Sequence, residues 1–559
     1  MVRSVTPPAR RQMSLAAIVS GLVGCYLPVS AFSDRLASPT SYPLKPARIS
    51  LAALALLLPL SVSSSFAETD LPTEPIELGL EPQFFVDDYM VDNRWPLDKV
   101  AQVMGRVFHQ PVKHPSNPVI PGQGGYLNVV YDEDAKLFRM IYQDFWYINE
   151  EKTRYTYAAC YAESKDGIQW DTPNLGLFER NQKGSKDNNV CWVSPVAGPH
   201  GHTAQSPFLL ELPEEHRRGH KFVMYYVNAK HESHLIGSDD CIHWDPASDT
   251  CIAKHFAPDT QSTISWDPKA KLFVWIGRAT DRYRDGLPLT MGATRRVCRL
   301  TNPELWTEWP VLTQNILIPG EADALETSER AFEGSNFFYG MPTRYHAGIY
   351  WGFLEPYALR SSTIETSLAI SRNGRVFEQL HGRPRLIERG PKDSWDSGMV
   401  FGSCSWQEVG DEWRIYYAGH DGPHNSTSRT PGIGLATIRK EGFVSLRGPQ
   451  SGGVVCTRAI RWPGEQLLVN CDATTRDHLD HFGRPLEPNQ GELKVRIVDA
   501  ARKPLPGFGY EDSVPFTGDS TRHEVKWKEH SIAELKGQVI RIEFQLKMAD
   551  LYTFRAATD

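Results

Sequence analysis

Short apolar, aromatic-rich stretches recur five times between residues 129 and 419. They read Phe138-Arg-Met-Ile-Tyr142, Phe222-Val-Met-Tyr-Tyr226, Phe273-Val-Trp-Ile-Gly277, Tyr350-Trp-Gly-Phe-Leu354 and Trp413-Arg-Ile-Tyr-Tyr417. Each follows another apolar stretch across a polar turn, as in Val129-Val-Tyr-Asp-Glu-Asp-Ala-Lys-Leu137 and Ile264-Ser-Trp-Asp-Pro-Lys-Ala-Lys-Leu272. β-Branched and aromatic residues suit a pleated, half-buried surface, and the Asp, Pro, Lys and Gly between them suit hairpin turns. One hairpin cannot bury its own apolar face, so five in a row predict modules packed around an axis. Their second strands lie 84, 51, 77 and 63 residues apart. That is longer than the roughly 40–50 residues of compact propeller repeats, so loops must take up the excess.

A second recurrence keeps the same count. Ser164-Lys-Asp-Gly-Ile-Gln-Trp170, Ser238-Asp-Asp-Cys-Ile-His-Trp244 and Ser371-Arg-Asn-Gly-Arg-Val-Phe377 share the form Ser-x-(Asp/Asn)-x-x-x-aromatic, with Asn302-Pro-Glu-Leu-Trp306 as a degenerate copy. The spacing predicts an Asx-type turn after a third strand, with the aromatic tucked between modules as a structural staple. From about Glu441 the texture changes to period-two alternation, as in Glu492-Leu-Lys-Val-Arg-Ile-Val498 and Val539-Ile-Arg-Ile-Glu-Phe-Gln-Leu546. The expected class is therefore all-β: a five-bladed β-propeller over 68–445 and a C-terminal β-sandwich over 446–559.

The first 67 residues read as an export leader. Lys45 and Arg48 precede the apolar run Leu51–Leu60, and Ser65-Phe-Ala67 ends in small residues before Glu68. The run is too short to span a bilayer, which takes about 20 residues. Leu22-Val-Gly-Cys25 is a second candidate signal, of lipoprotein type. The expected location is secreted or periplasmic, with a lipoprotein as the variant and no integral membrane domain in the mature chain. The leader carries six basic residues against one acidic, so the chain after Ala67 has a net charge of −12 rather than −7. That balance argues against nucleic acid as a partner. Eight cysteines follow the leader without any Cys-x-x-Cys spacing. A zinc site is not expected; Cys241 and Cys251 could close a local loop.

In a propeller the innermost strand of each blade enters the axial funnel, so polar residues at its start converge on one pocket. Four acids stand in such places: Asp259 ahead of the third hairpin, Glu333 ahead of the fourth, Asp396 ahead of the fifth, and Asp88 on the early strand Phe84–Val91. A turn or cap role is the plain alternative for each. Two carboxylates facing one funnel are what glycosidic cleavage requires, one donating a proton and the other activating water or attacking. Tyr339 and Trp395 are candidates to stack on a sugar ring, and Asn128 and His202 to bind its hydroxyls.

With the repeat and its Ser-x-Asp-x-x-x-Trp turns in view, the chain resembles the five-bladed propeller glycoside hydrolases of families 43, 32, 68 and 117. Phe85-Val-Asp-Asp-Tyr89, His109-Gln-Pro-Val-Lys-His-Pro-Ser-Asn-Pro118 and Ser394-Trp-Asp-Ser-Gly398 are similar to segments of secreted bacterial glycosyl hydrolase-like proteins. The resemblance implies cleavage of a poly- or oligosaccharide, with Glu333 as general acid, Asp259 tuning its pKa, and Asp396 or Asp88 as base. It implies no cofactor, although some relatives plug the funnel with a structural calcium ion. The sequence departs from family 43 at the base, because the first inner strand carries Asn128 and no acid. The rival expectation is a propeller that binds carbohydrate without cleaving it.

Overall fold

The computed structural model describes residues 74–92, 104–151, 154–180, 185–198, 201–254, 256–279, 295–317, 336–358, 361–479 and 484–558, all in the unit Glu68–Asp559. Glu333 lies outside them, as does the leader. The described chain is nearly all β. Its helical turns are the short 3-10 segments Glu214–His216 and Ile532–Leu535, and no helix among the described residues is long and apolar enough to cross a membrane.

The five hairpins are all present as antiparallel strand pairs, and they extend into successive meanders of the propeller type. The first runs Leu127–Asp132, Leu137–Tyr147, Tyr155–Ser164 and Val190–Trp192, and the second Gln205–Leu209, Phe222–Val227, Ser233–Ser238 and Trp244–Ala253. The third runs Thr263–Asp267, Leu272–Ala279, Arg296–Asn302 and Gln314–Leu317, and the fourth Thr343–His346, Ile349–Leu354, Thr366–Ser371 and Glu378–Gln379. The last is built from Met399–Gly402, Glu412–His420 and Pro431–Arg439, and its outer edge is completed by Val112–Lys113 and Ile120–Pro121 from far earlier in the chain.

Side chains stitch the first strands of the meanders together. The Asn128 amide donates to the Leu209 carbonyl at 2.8 Å and accepts from the Leu209 N–H at 2.9 Å. Gln261 donates to Leu127 O at 2.8 Å, and Thr343 N–H donates to the Thr263 hydroxyl at 2.9 Å. Val129 N–H reaches the Ser405 hydroxyl at 2.9 Å, so the first meander also meets the last. Buried backbone groups at strand starts need such partners, because an unpaired one costs about 1–3 kcal/mol.

The Ser-x-Asp turns are staples. Asp166 Oδ1 accepts from the N–H groups of Ile168 and Gln169, Asp240 Oδ1 from Ile242 and His243, and Asn373 Oδ1 from Arg375 and Val376, all at 2.7–3.0 Å. Each serine hydroxyl in turn accepts an N–H three residues on, at Gly167, Cys241 and Gly374. The aromatics that follow lie against the neighbouring module. Trp170 meets Tyr416 edge-on at 5.5 Å, and Trp306 Nε1–H donates to His216 O at 2.8 Å.

Beyond residue 443, besides the small hairpin Arg476–Leu479 and Pro485–Asn489, two larger sheets share one core, which includes Val469, Val495, Phe544 and Phe554. One is five-stranded around Val539–Lys547, the other six-stranded around Asp550–Ala557. The early segment belongs partly to them: Ile76–Glu77 pairs with Ile460–Arg461, Gln83–Phe84 with Thr553–Phe554, and Gly105–Phe108 with Val444–Arg447. Alternation then gives Phe84 and Val86 to the core shared with the meanders, while Phe85 enters the core of the C-terminal sheets. The eight described cysteines are all free thiols, so no bond closes the Cys241–Cys251 loop. The reason is placement: Cys241 is buried near Trp244, whereas Cys251 faces His234 across the sheet.

Candidate functional site

Asp259 stands in the loop before Thr263–Asp267 with its side chain 60% exposed. Its Oδ2 accepts from Arg278 Nη2 at 2.9 Å and its Oδ1 from the Gln205 amide at 2.5 Å. Arg278 lies at the far end of the second strand of that hairpin and is only 3% exposed. Its Nε and Nη1 have no hydrogen-bond partner. A buried guanidinium held by a single exposed carboxylate fixes that carboxylate's place.

Glu355 occupies the corresponding place in the fourth hairpin, directly after Ile349–Leu354. Its N–H donates to Gly340 O and its carbonyl accepts from Tyr339 N–H, so the backbone continues the ladder one residue further. The side chain is fully buried and neither carboxyl oxygen makes a well-formed hydrogen bond. Burial pushes its pKa up to about 8; the charge of Arg278 and the neighbouring Thr260 hydroxyl offset this only in part. Glu355 therefore holds its proton at neutral pH. Gly340 is required here, since a Cβ on it would come within 2.4 Å of Thr260 Oγ1 and 2.5 Å of Glu355 Oε2.

Aromatic and imidazole rings complete the surroundings. The Tyr339 hydroxyl lies 3.0 Å from His424 Nε2, and the ring stands edge-on to Tyr357 at 5.7 Å. The guanidinium of Arg278 lies 5.1 Å from the Tyr339 ring centre and that of Arg295 lies 4.8 Å from it. Burial, reinforced by the charge of Asp259, raises the phenol pKa values of Tyr157 and Tyr339. His424 is held near 4, first by burial and then by Arg295 and Arg429, and so is neutral at pH 7.

The structure thus brings Asp259 and Tyr339 together and adds Arg278, Glu355, Arg295 and His424, none of which the sequence singled out. The other candidates among the described residues are engaged by other partners. Asp396 is buried; its Oδ2 accepts from Lys113 Nζ at 2.5 Å and from the Tyr417 hydroxyl at 3.2 Å, and its Oδ1 from the Ser394 hydroxyl at 2.9 Å. It pins the outer strand Val112–Lys113 to its sheet. Trp395 stacks on Tyr417 at 5.6 Å and lies against Gly419 and Gly432. Asp88 is exposed and paired with Arg106 at 2.7 Å, on the segment that joins the C-terminal sheets. Asn128 is used up by the Leu209 backbone, and His202 is an exposed residue whose Nδ1 faces Ser194 O at 2.9 Å.

One grouping has metal-binding chemistry. Glu232, His234 and Cys251 place ligand atoms within 4.8 Å of one another, and Asp249 holds His234 Nδ1 at 3.0 Å. The Asn228 amide nitrogen already lies between two of them, 2.8 Å from Glu232 Oε2 and 3.0 Å from His234 Nε2. The Asn228 carbonyl oxygen is itself fixed by the N–H groups of Lys230 and Glu232.

No family model matches the chain, and no curated protein matches it in sequence. Solved structures similar to it include a thermostable family-43 glycoside hydrolase, at 13% identity over 61% of this chain and 96% of that one, with a TM-score of 0.38. A glycosyl hydrolase from Bacteroides ovatus matches at 12% identity over 60% and 95%, TM-score 0.39. An N-acetylgalactosamine deacetylase from F. plautii, solved with blood group B trisaccharide, matches at 14% identity over 61% and 96%, TM-score 0.38.

Proposed function

We propose that the protein is a carbohydrate-active hydrolase whose proton donor is Glu355 and whose second carboxylate is Asp259. The observation that carries this reading is the pairing of unlike acids around Arg278: one buried and protonated, the other exposed and tied to the guanidinium. Acid–base cleavage of a glycosidic bond needs that division of labour, a carboxylic acid to protonate the leaving oxygen and a carboxylate to activate water or attack. Export from the cell, expected from the leader, suits a polysaccharide substrate.

The test is release of reducing ends from a panel of polysaccharides by the full chain and by Glu355→Gln, Asp259→Asn and Glu333→Gln. The first two variants lose about 10²- to 10⁴-fold in rate, the usual worth of a general acid or base, while melting as cooperatively as the parent. Loss in Glu333→Gln alone, with Glu355→Gln fully active, hands the acid role back to the residue expected from sequence and refutes this assignment. Product stereochemistry by NMR then reads the spacing of the two carboxyls, about 5–5.5 Å for retention against about 6.5–9.5 Å for inversion.

A further inference from the structure

Among the described residues, charges around the site do not balance. Asp259 answers Arg278, Glu355 is protonated and His424 is neutral. Two guanidiniums remain. Arg295 lies 4.8 Å from the Tyr339 ring centre and 5.4 Å from that of Tyr357, and no carboxylate among the described residues reaches it. Its Nη1 is buried without a hydrogen-bond partner. Arg429 has no carboxylate partner among them either: its Nη1 donates to the carbonyls of His424, at 2.5 Å, and Ser426, at 3.0 Å, and its Nε is buried and unpartnered. Arg429 touches His424 through that carbonyl, and after burial the charges of Arg295 and Arg429 hold the imidazole neutral.

Other arginines of similar or greater burial have an acid in contact, as Arg139 has Asp132, Arg385 has Glu365 and Arg541 has Asp92, whereas Arg299 has the Gln314 amide oxygen instead. A partly desolvated cation without a counter-charge is costly unless something anionic arrives. The excess positive charge also sits in a chain of net charge −7, so it is a local arrangement and not a property of the whole surface.

We propose that Arg295, supported by Arg429, receives an anionic group on the saccharide, a uronate carboxylate or a sulfate ester. The substrate class is then an acidic glycan, an inference that rests on the site being a glycan site. A planar guanidinium stacked on tyrosine rings presents its remaining N–H groups in a fork that matches either oxyanion.

The experiment is affinity electrophoresis of the full chain through polygalacturonate, alginate and heparosan, each beside its carboxyl-reduced counterpart, and through carrageenan beside its desulfated form. The sugar skeleton and linkage are unchanged within each pair, so the comparison isolates the charge. At least one acidic polymer is expected to retard the protein about tenfold more strongly than its neutral partner. Arg295→Met then loses about 10- to 100-fold in affinity for it, and Arg295→Lys retains part. The carboxyl and sulfate pairs tell the two anions apart.

Equal retardation by every pair overturns the inference, as does a preference that survives in folded Arg295→Met, folding being checked by its melting curve. Failure here is distinct from failure of the hydrolase reading. Cleavage of a neutral glycan that depends on Glu355 and ignores Arg295 removes only the anion site, whereas Arg295-dependent binding without cleavage removes only the hydrolase.

Discussion

Replacing Glu355 by glutamine is expected to make the protein more stable and less active at once, and the stability gain has a defined dependence on pH. In the unfolded chain the carboxyl releases its proton near 4.5; in the folded protein it keeps it until about pH 8. Between those values the native state binds more protons than the unfolded one, so stability falls as pH rises, by about 1.4 kcal/mol per pH unit. The loss reaches about 3 kcal/mol at pH 7 and about 5 kcal/mol above pH 8. Glutamine has nearly the same shape and never ionises, so it escapes the loss. Urea unfolding of parent and Glu355→Gln at pH 4.5, 7 and 8.5 measures it directly. The two curves should nearly coincide at pH 4.5 and separate progressively, with unchanged slopes. A difference that is constant with pH, or that shrinks as pH rises, refutes the claim that this carboxyl is held protonated, and with it the proposed acid.

At the acid end the sign reverses. Burial holds His346 and His420 near 3 and His424 near 4, so each stays neutral in the native state while the unfolded chain protonates below about 6.5; the melting temperature should fall as pH drops from 6.5 to 4, and His346→Gln should flatten that fall. Lys113→Met leaves Asp396 buried with hydroxyl donors but no cation. With the Lys113 side chain 31% exposed, the expected cost is about 2–3 kcal/mol by denaturant melt, and less for Lys113→Arg. Asp240→Ala removes the acceptor of two turn N–H groups, at Ile242 and His243, and should cost about 1–2 kcal/mol with no change in catalytic rate.

The fold was legible in the sequence because its signals are local. Each hairpin declares itself within some fifteen residues, and each Asx staple within seven, so Phe138–Tyr142 and Ser164–Trp170 could be read without knowing what they touch. The site was half legible for the opposite reason. Acids were sought ahead of the first strand of each hairpin, which found Asp259. An antiparallel partner returns to the same rim, however, so the residue just after the second strand faces the same place. Arg278 follows Phe273–Gly277 and Glu355 follows Tyr350–Leu354, and a charged residue closing an apolar strand was the signal available. Asp396 shows the limit of the reasoning: its position ahead of an inner strand is as expected, but Lys113, nearly three hundred residues away, turns its carboxylate to the outer strand, and no local pattern encodes that partner.

The strands between Ile76 and Pro121 also carry a consequence for how the protein is made. They leave the ribosome more than 300 residues ahead of their partners, Pro431–Arg439, Val444–Arg447, Ile460–Arg461 and Asp550–Ala557. Phe84, Phe85 and Val86 must wait unpaired until those partners emerge before either core can close around them. Closure over such sequence separations is slow. This stretch is therefore where a nascent chain is most exposed to wrong strand pairing, and where a holding chaperone would do most good.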